Sequence, residues 1–231
     1  MAPRGKAVAG QGQGWQVGAM SFDRTITELG REHRAAAVAT LAAAFQDDPA
    51  LAWLIPDALA RPGRLRSFMA LVFDEHLRFG RILGTPGCEA VTLWRPPGSV
   101  HRHLPVWHPG ALRYVPIFRS RLPQALATDG AIRKHLPRDE GWMYLKYAGV
   151  RPDCQGKGLG GLAIRAGLAE AAQAGVPSVL ETATESNVAL YRSLGYAVES
   201  EWQVDETSPR FWTMHHRGPA HLDSAAASPT V

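Results

Sequence analysis

Cysteine and lysine are scarce in this sequence, two and four among 231, against 21 arginines. Two cysteines, Cys88 and Cys154, cannot build the multi-bridge framework of a small secreted domain, so a reducing cytoplasm is the expected setting. The arginine excess reads as a genome composition effect and not as a function. No apolar run approaches the ~20 residues of a membrane helix. The opening "MAPRGKAVAGQGQGWQVGAM" carries Arg4 and Lys6 but no continuous apolar stretch before a cleavage site. Neither a membrane nor a secretory route is therefore expected. A basic stripe with interleaved aromatics is also missing: the net charge is +4, yet the basic residues are scattered and often sit beside Asp or Glu. That argues against nucleic acid as partner and for a locally basic pocket that takes a small anion. What remains, 45% hydrophobic and 20% charged, is an ordinary globular composition. The length suits one domain with a substantial core.

Residues 1–22, rich in Gly, Gln and Ala, and 218–231, small and polar, lack periodicity and are expected to be disordered. Between them "RTITEL" alternates as a short strand, and "REHRAAAVATLAAAF" has a helix face at Val38, Leu41, Ala42 and Phe45, stopped by Asp47, Asp48 and Pro49. A second helix is predicted over "RPGRLRSFMALVFDEHLRFG", with Leu65, Phe68, Met69, Val72 and Phe73 on its buried stripe. "CEAVTLWRPPG" reads as a strand ended by prolines. Residues 99–140 are the least readable, with helical patches in "ALRYVPIFRSRL" and "QALATDGAIRKHL". Then "WMYLKYAGV" is a strand, "GGLAIRAGLAEAAQAG" a helix, "SVLETAT" a strand and "SNVALYRSLG" a short helix; "YAVESEWQV" and "RFWTMHHR" look like a closing strand pair.

The stretch "VRPDCQGKGLGG" carries the chemical signal. Four of the six residues from Gly156 to Gly161 are glycine, just ahead of a helix. A helix N-terminus presents unpaired N–H groups and about half a positive charge, so it holds a diphosphate if nothing bulky covers it. As a Walker loop the stretch fails, because Gly158 follows Lys157 where Ser or Thr would hold magnesium. Gly156, Gly158 and Gly161 fit the dinucleotide pattern G-x-G-x-x-G, and Glu181 lies twenty residues on. Five residues nevertheless intervene between Val150 and the first glycine, and the N-terminal half supplies no further βαβ units. A third pattern, Q-x-x-G-x-G, is met by Gln155, Gly158 and Gly160.

In that third form the segment resembles the acetyl-CoA pyrophosphate loop of the GNAT N-acetyltransferases. The resemblance continues through "GVPSVLETATESNVALYRSLGYAV", with an N-x-x-x-Y pattern at Asn187 and Tyr191. Upstream, "TLAAAFQDDPALAWLIPD" and "VTLWRPPG" look like the subgroup that includes puromycin N-acetyltransferase. The similarity runs from about Phe22 to Arg217. It implies a single mixed α/β GNAT domain over 23–217. Its mostly antiparallel central sheet would be split by a V-shaped opening that binds acetyl-CoA, with helices on both faces. It also implies that Gln155, Gly156, Lys157, Gly158, Leu159, Gly160 and Gly161 hold the diphosphate, and that Ala148, Gly149, Val150 and Asn187 hold the pantetheine arm. The strand carrying Ala148 would be splayed by a bulge, for which Gly149 is smaller than expected. Tyr191 would protonate the leaving thiolate.

Each assignment has a plainer alternative. Lys157 reads equally as a solvated loop lysine and Gln155 as a surface turn residue. Tyr191 and Asn187, four apart on one helix face, read as a packed aromatic and an N-terminal helix residue. Glu181 sits mid-strand, where acidic residues are depleted, so it either faces solvent or lines the cleft; in the cleft it is the candidate base for the amine, directly or through water. His101, His103 and His108 lack a second ligand cluster, so no metal is expected. Cys154 has no evident His partner, and direct transfer needs no such nucleophile. Asp47 and Asp48 read as helix-stop residues before cation binders. Trp53, Trp94, Trp107 and Trp142 could frame an aromatic pocket or simply be core.

The expected function is acetyl-CoA-dependent acetylation of a primary amine on a small molecule, an aminonucleoside or antibiotic-like compound. The chain would act without metal, nucleic acid or membrane, as a monomer or homodimer. Alternatives are a protein-amine acetyltransferase, a non-catalytic CoA sensor, and a dinucleotide-binding oxidoreductase.

Overall fold

Alanine-rich sequence makes α1, Arg34–Ala44, entered through a 3-10 turn at Arg31–His33, and it buries Ala37, Val38, Leu41 and Ala42. Asp48 does more than stop it. Its carboxylate accepts the Leu51 N–H at 3.0 Å and caps a second helix, α2, Pro49–Leu54, which begins on a proline whose missing N–H is harmless there. Helix α3, Arg61–Phe79, buries the expected stripe from Leu65 to Phe73, together with His76. The structure is a computed structural model that describes residues 23–99, 109–138 and 141–218. The expected disordered ends, apart from Gly218, lie outside those residues.

The remaining elements are β1 (Thr27–Glu28), β2 (Arg81–Gly84), β3 (Ala90–Arg95), α4 (Val115–Phe118), α5 (Leu122–His135), β4 (Met143–Val150), α6 (Leu159–Gln173), β5 (Ser178–Thr182), α7 (Glu185–Ser193), β6 (Ala197–Trp202) and β7 (Phe211–His216). Strand β2 was not expected. Its four residues are buried or half-buried throughout, so no alternation betrayed it. Only two residues of "RTITEL" pair as a strand.

The seven strands form one sheet in the order β1-β2-β3-β4-β5-β7-β6. Every neighbouring pair is antiparallel except β4 and β5, which are parallel and joined through α6. Helices α1 and α3 cover one face with a core that includes Leu41, Leu65, Met69, Phe73 and Leu93. Helices α6 and α7 cover the other, over Trp94, Ile164, Leu180 and Met214. On that face Gly167 of α6 lies directly on Trp94, and a Cβ there would overlap the indole ring. The mixed α/β sheet with helices on both faces is the expected fold. Among the described residues no helix is long and apolar enough to cross a membrane.

Strand β4 is where the sheet divides. It pairs with β5 only at Met143–Ser178, Tyr144–Val179 and Leu145–Leu180. Beyond that point β4 pairs with β3 alone and β5 with β7 alone, so the V-shaped opening follows Leu145. Against β3 the register jumps, with Leu93 opposite Tyr147 and Trp94 opposite Leu145. Lys146 is thus the extra residue of a β-bulge. The bulge lies three residues before Gly149, whose smallness has another cause: a Cβ there would stand 3.0 Å from Leu41 and 3.1 Å from Ala44 of α1.

Candidate active site

The glycine stretch forms the turn between β4 and α6. Gly158 is the residue from which α6 springs, held at φ 78°, a left-handed conformation that disfavours any side chain. Gly156 faces open space, and beside Gly158 only Arg24 stands near, 3.7 Å from where a Cβ would be. Gly160 and Gly161 face inward instead. A Cβ at 160 would meet Val150 at 3.0 Å and one at 161 would meet Leu194 at 3.9 Å. At 160 the smallness is set by the protein's own packing, at 161 a Cβ would make only an ordinary contact, and 156 and 158 leave the N-terminus of α6 uncovered. Leu159 is buried with Ala90, Cys154 and Ala163, anchoring the turn and leaving only its backbone for a ligand.

Two polar side chains brace the loop from within. Gln155 donates to the Val150 carbonyl at 3.2 Å, and the Lys157 ammonium donates to the Asp153 carbonyl at 2.8 Å. Sequence reasoning missed Arg24, whose guanidinium reaches across to the Lys157 carbonyl at 3.5 Å and adds positive charge over the loop. Its distance along the chain hid it.

On β4, Ala148 and Val150 point to the α6 side, whereas Tyr147 and Gly149 point toward α1. The free edge of β4 opens on a cavity of about 800 Å³. Ala148, Glu181, Asn187 and Tyr191 all line it, so strand, base candidate and short helix meet at one space. Gly149 and the loop residues lie outside its lining. Phe45, Phe68, Tyr114, Phe118 and Tyr147 form an aromatic wall, packed largely edge to face, with Phe45 and Tyr147 centroids 5.4 Å apart. Among the described residues no tryptophan contributes. Trp94 and Trp142 are core, Trp53 bonds Thr207 at 3.2 Å, and Trp107 lies outside the described residues.

Residues 126–196 match the model of the acetyltransferase (GNAT) family. Several solved structures are similar in fold, among them these three. The histone acetyltransferase HPA2 and related acetyltransferase from Corynebacterium glutamicum superposes with a TM-score of 0.64 at 21% identity, over 90% of this chain and 98% of that one. The C-terminal condensation domain of Ebony, in complex with beta-alanyl-dopamine, gives 0.58 at 11% identity, over 84% and 98%. Arylalkylamine N-acetyltransferase 2 from Aedes aegypti gives 0.56 at 12% identity, over 84% and 98%. The fold is that of the GNAT acetyltransferases. The family match indicates an acyl-transferring enzyme.

Within this GNAT fold the buried groups of the cavity are displaced from their ordinary protonation. Burial pushes Glu181 up to about 8, against the Tyr144 hydroxyl and the Lys146 charge, which both favour its ionised form. One carboxyl oxygen, Oε1, is buried without a hydrogen-bond partner. Such a group takes up protons near neutral pH, where a general base is useful. Burial, and then the charge of Asp48, push Tyr191 up to about 12, so its hydroxyl stays protonated. A thiolate released into the same dry space binds its proton more tightly for the same reason. Burial also lowers Lys146 and raises Asp48, which lines the cavity as well as capping α2. Asp47 is exposed and outside the lining.

Among the described residues no three His, Cys, Asp or Glu gather as a metal site, and the His101, His103 and His108 stretch lies outside them. Cys154 is buried in the loop's small core.

Proposed function

We propose that the protein is an acetyl-CoA-dependent N-acetyltransferase that acetylates a primary amine of a small molecule by direct transfer. One observation carries this reading: the free edge of β4, Glu181 and the α7 pair Asn187 and Tyr191 meet at a single cavity beside a cleared helix N-terminus. Acetyl-CoA supplies the acetyl group as a thioester. The backbone N–H groups at 156–161 would hold its diphosphate, and the unpaired edge at 148–150 with Asn187 its pantetheine arm. Glu181 accepts the proton that the amine nitrogen loses as its bond to the acetyl carbon forms. Backbone N–H groups of the β4 edge face the charge that develops on the carbonyl oxygen. Tyr191 donates its proton to sulfur as the C–S bond breaks.

The finer reading, an aminonucleoside or antibiotic-like acceptor, is supported by "TLAAAFQDDPALAWLIPD", the stretch similar to the puromycin N-acetyltransferase subgroup. Phe45, Asp48, Ala50, Leu51 and Leu54 of that stretch line the cavity. The two free, buried cysteines support a reducing, cytoplasmic setting.

Thiol release from acetyl-CoA, followed across a panel of amines, tests the reading, with calorimetry against acetyl-CoA and NADH alongside. Amine-dependent release with acetyl-CoA binding is expected. Binding of NADH in place of acetyl-CoA would overturn the assignment, and acetyl-CoA binding without turnover on any small or peptide amine would make the chain a sensor.

A further inference from the structure

The cavity has a second, oppositely charged end. Arg31 and Arg34, three apart at the start of α1, face Asp74 and Arg78, four apart near the end of α3, and Arg113 approaches from the 3-10 segment at Pro109–Tyr114. All five line the cavity. Asp74 takes Arg34 in a two-pronged pair, Nε to Oδ1 at 2.6 Å and Nη2 to Oδ2 at 2.9 Å. Among the described residues no ion pair involves Arg31, Arg78 or Arg113, all three exposed. Arg34, Arg31 and Arg113 thus act on one carboxylate, a local excess of two positive charges, and Arg78 lies one helical turn beyond it on α3. The hydrogen bond from Arg34, and then the charges of Arg34, Arg113 and Arg31, hold the Asp74 carboxyl below its usual range, so these groups act on the same point. The other carboxylates of the lining are elsewhere engaged: Glu75 pairs with Arg95 at 2.8 Å and Asp129 with Arg133 at 2.8 Å. At the opposite end stand Glu181 and Asp48, buried carboxyls suited to an amine.

We propose that Arg31, Arg78 and Arg113 form an anion subsite, and that the acceptor is a primary amine bearing a carboxylate or phosphate several bonds from its nitrogen. The proposal rests on the acetyl-transfer reading for the identity of the occupant. A guanidinium binds either anion through paired N–H donors, and exposure of the three arginines lets a soluble ligand reach them. The anion docks at the rim and the chain crosses the aromatic wall, bringing the amine to Glu181. An uncharged aminonucleoside leaves the rim unused; its phosphorylated form fills both ends.

The test measures binding by calorimetry in the presence of CoA, and acetylation with acetyl-CoA, for matched ligands. The carboxylate arm is γ-aminobutyrate, 5-aminopentanoate and 6-aminohexanoate against their primary amides. The phosphate arm is 2-aminoethyl phosphate against 2-aminoethanol. In at least one arm the anionic member should bind at least tenfold more tightly than its neutral partner, and the arm showing it identifies the anion. The double exchange Arg31→Glu with Arg113→Glu should erase or reverse that preference; both sites are exposed, and the melting temperature confirms folding. Equal binding of anionic and neutral members, no binding by any, or a preference that survives both Arg31→Glu, Arg113→Glu and the milder Arg31→Gln, Arg113→Gln overturns the subsite. Anionic preference in binding without acetylation would instead defeat the transfer reading and leave the subsite standing.

Discussion

The glycine loop and the large cavity flank β4 yet are built on opposite plans. In the loop, Gln155, Gly156, Lys157 and Gly158 are exposed, and its long side chains bond back to the loop's own carbonyls. In the cavity Glu181, Tyr191, Lys146 and Asp48 are withdrawn from water, and burial is the largest influence on the protonation of each. In the proposed role the loop would hold charge with backbone N–H groups and need only clear space. In the proposed role the cavity would move protons and need particular side chains at shifted protonation. A methyl group is the damaging change in one region, and the loss of a single polar atom in the other.

The largest effect should come from the cavity. Tyr191→Phe keeps the ring's edge contact with Tyr196, 5.9 Å between centroids, and removes only the proton donor. The turnover number should fall about a hundredfold or more, with acetyl-CoA affinity and melting temperature nearly unchanged. Normal turnover would give the proton transfer to water or another group. In the loop the contrast inverts. Gly158→Val should weaken acetyl-CoA binding, measured by calorimetry, by roughly one to two orders of magnitude, because a branched side chain meets both the left-handed backbone and the ligand's space. Unchanged affinity in a folded variant would remove the loop from the binding site.

Glu181 sharpens the comparison through pH. Its ordinary value is 4.5 and burial raises it to about 8. Between these limits the folded protein holds a proton that the unfolded chain has released, so stability falls as pH rises through that window, by on the order of a few kcal/mol. Glu181→Gln should flatten that dependence in melting curves taken from pH 5 to 8. As a base Glu181 works only when ionised, so kcat/KM of the native protein should climb toward pH 8 and the Gln variant should lose that limb. An unaltered pH profile would place the base elsewhere. The smallest effect belongs to Arg24→Ala, which should loosen acetyl-CoA a few-fold by removing one exposed cation over the loop. A change larger than Gly158→Val would mean that side chains, not backbone, dominate the loop.

What could be read from the sequence followed the length scale of each interaction. Helix α3 was legible because five apolar residues recur at helical spacing, and the turn into α6 because four glycines fall within six residues. Strand β2 was not, since four residues buried on both faces carry no period. Asp48 read only as a helix stop; its capping of α2 and its place in the cavity, where the Thr184 hydroxyl donates to it at 3.4 Å from 136 residues away, arise on folding. Gly149 looked anomalous for a ligand-facing position; it is small because α1 crosses it, a contact between elements that no local pattern encodes. The rim arginines come from three segments and became a group only on folding.

The three residue pairs that join β4 to β5 bear on how the molecule moves. They are the whole seam between a half-sheet of β1 to β4 and a half-sheet of β5 to β7. Helix α6 packs on β2, β3 and β4, fastened by Gly167 against Trp94, while α7 packs on β5 and β6. The glycine loop at the start of α6 and Tyr191 of α7 thus stand on either side of that seam, over one shared core. On the proposed acetyl transfer, the angle of the opening sets how far the anchored end of a bound thioester would lie from the Tyr191 hydroxyl.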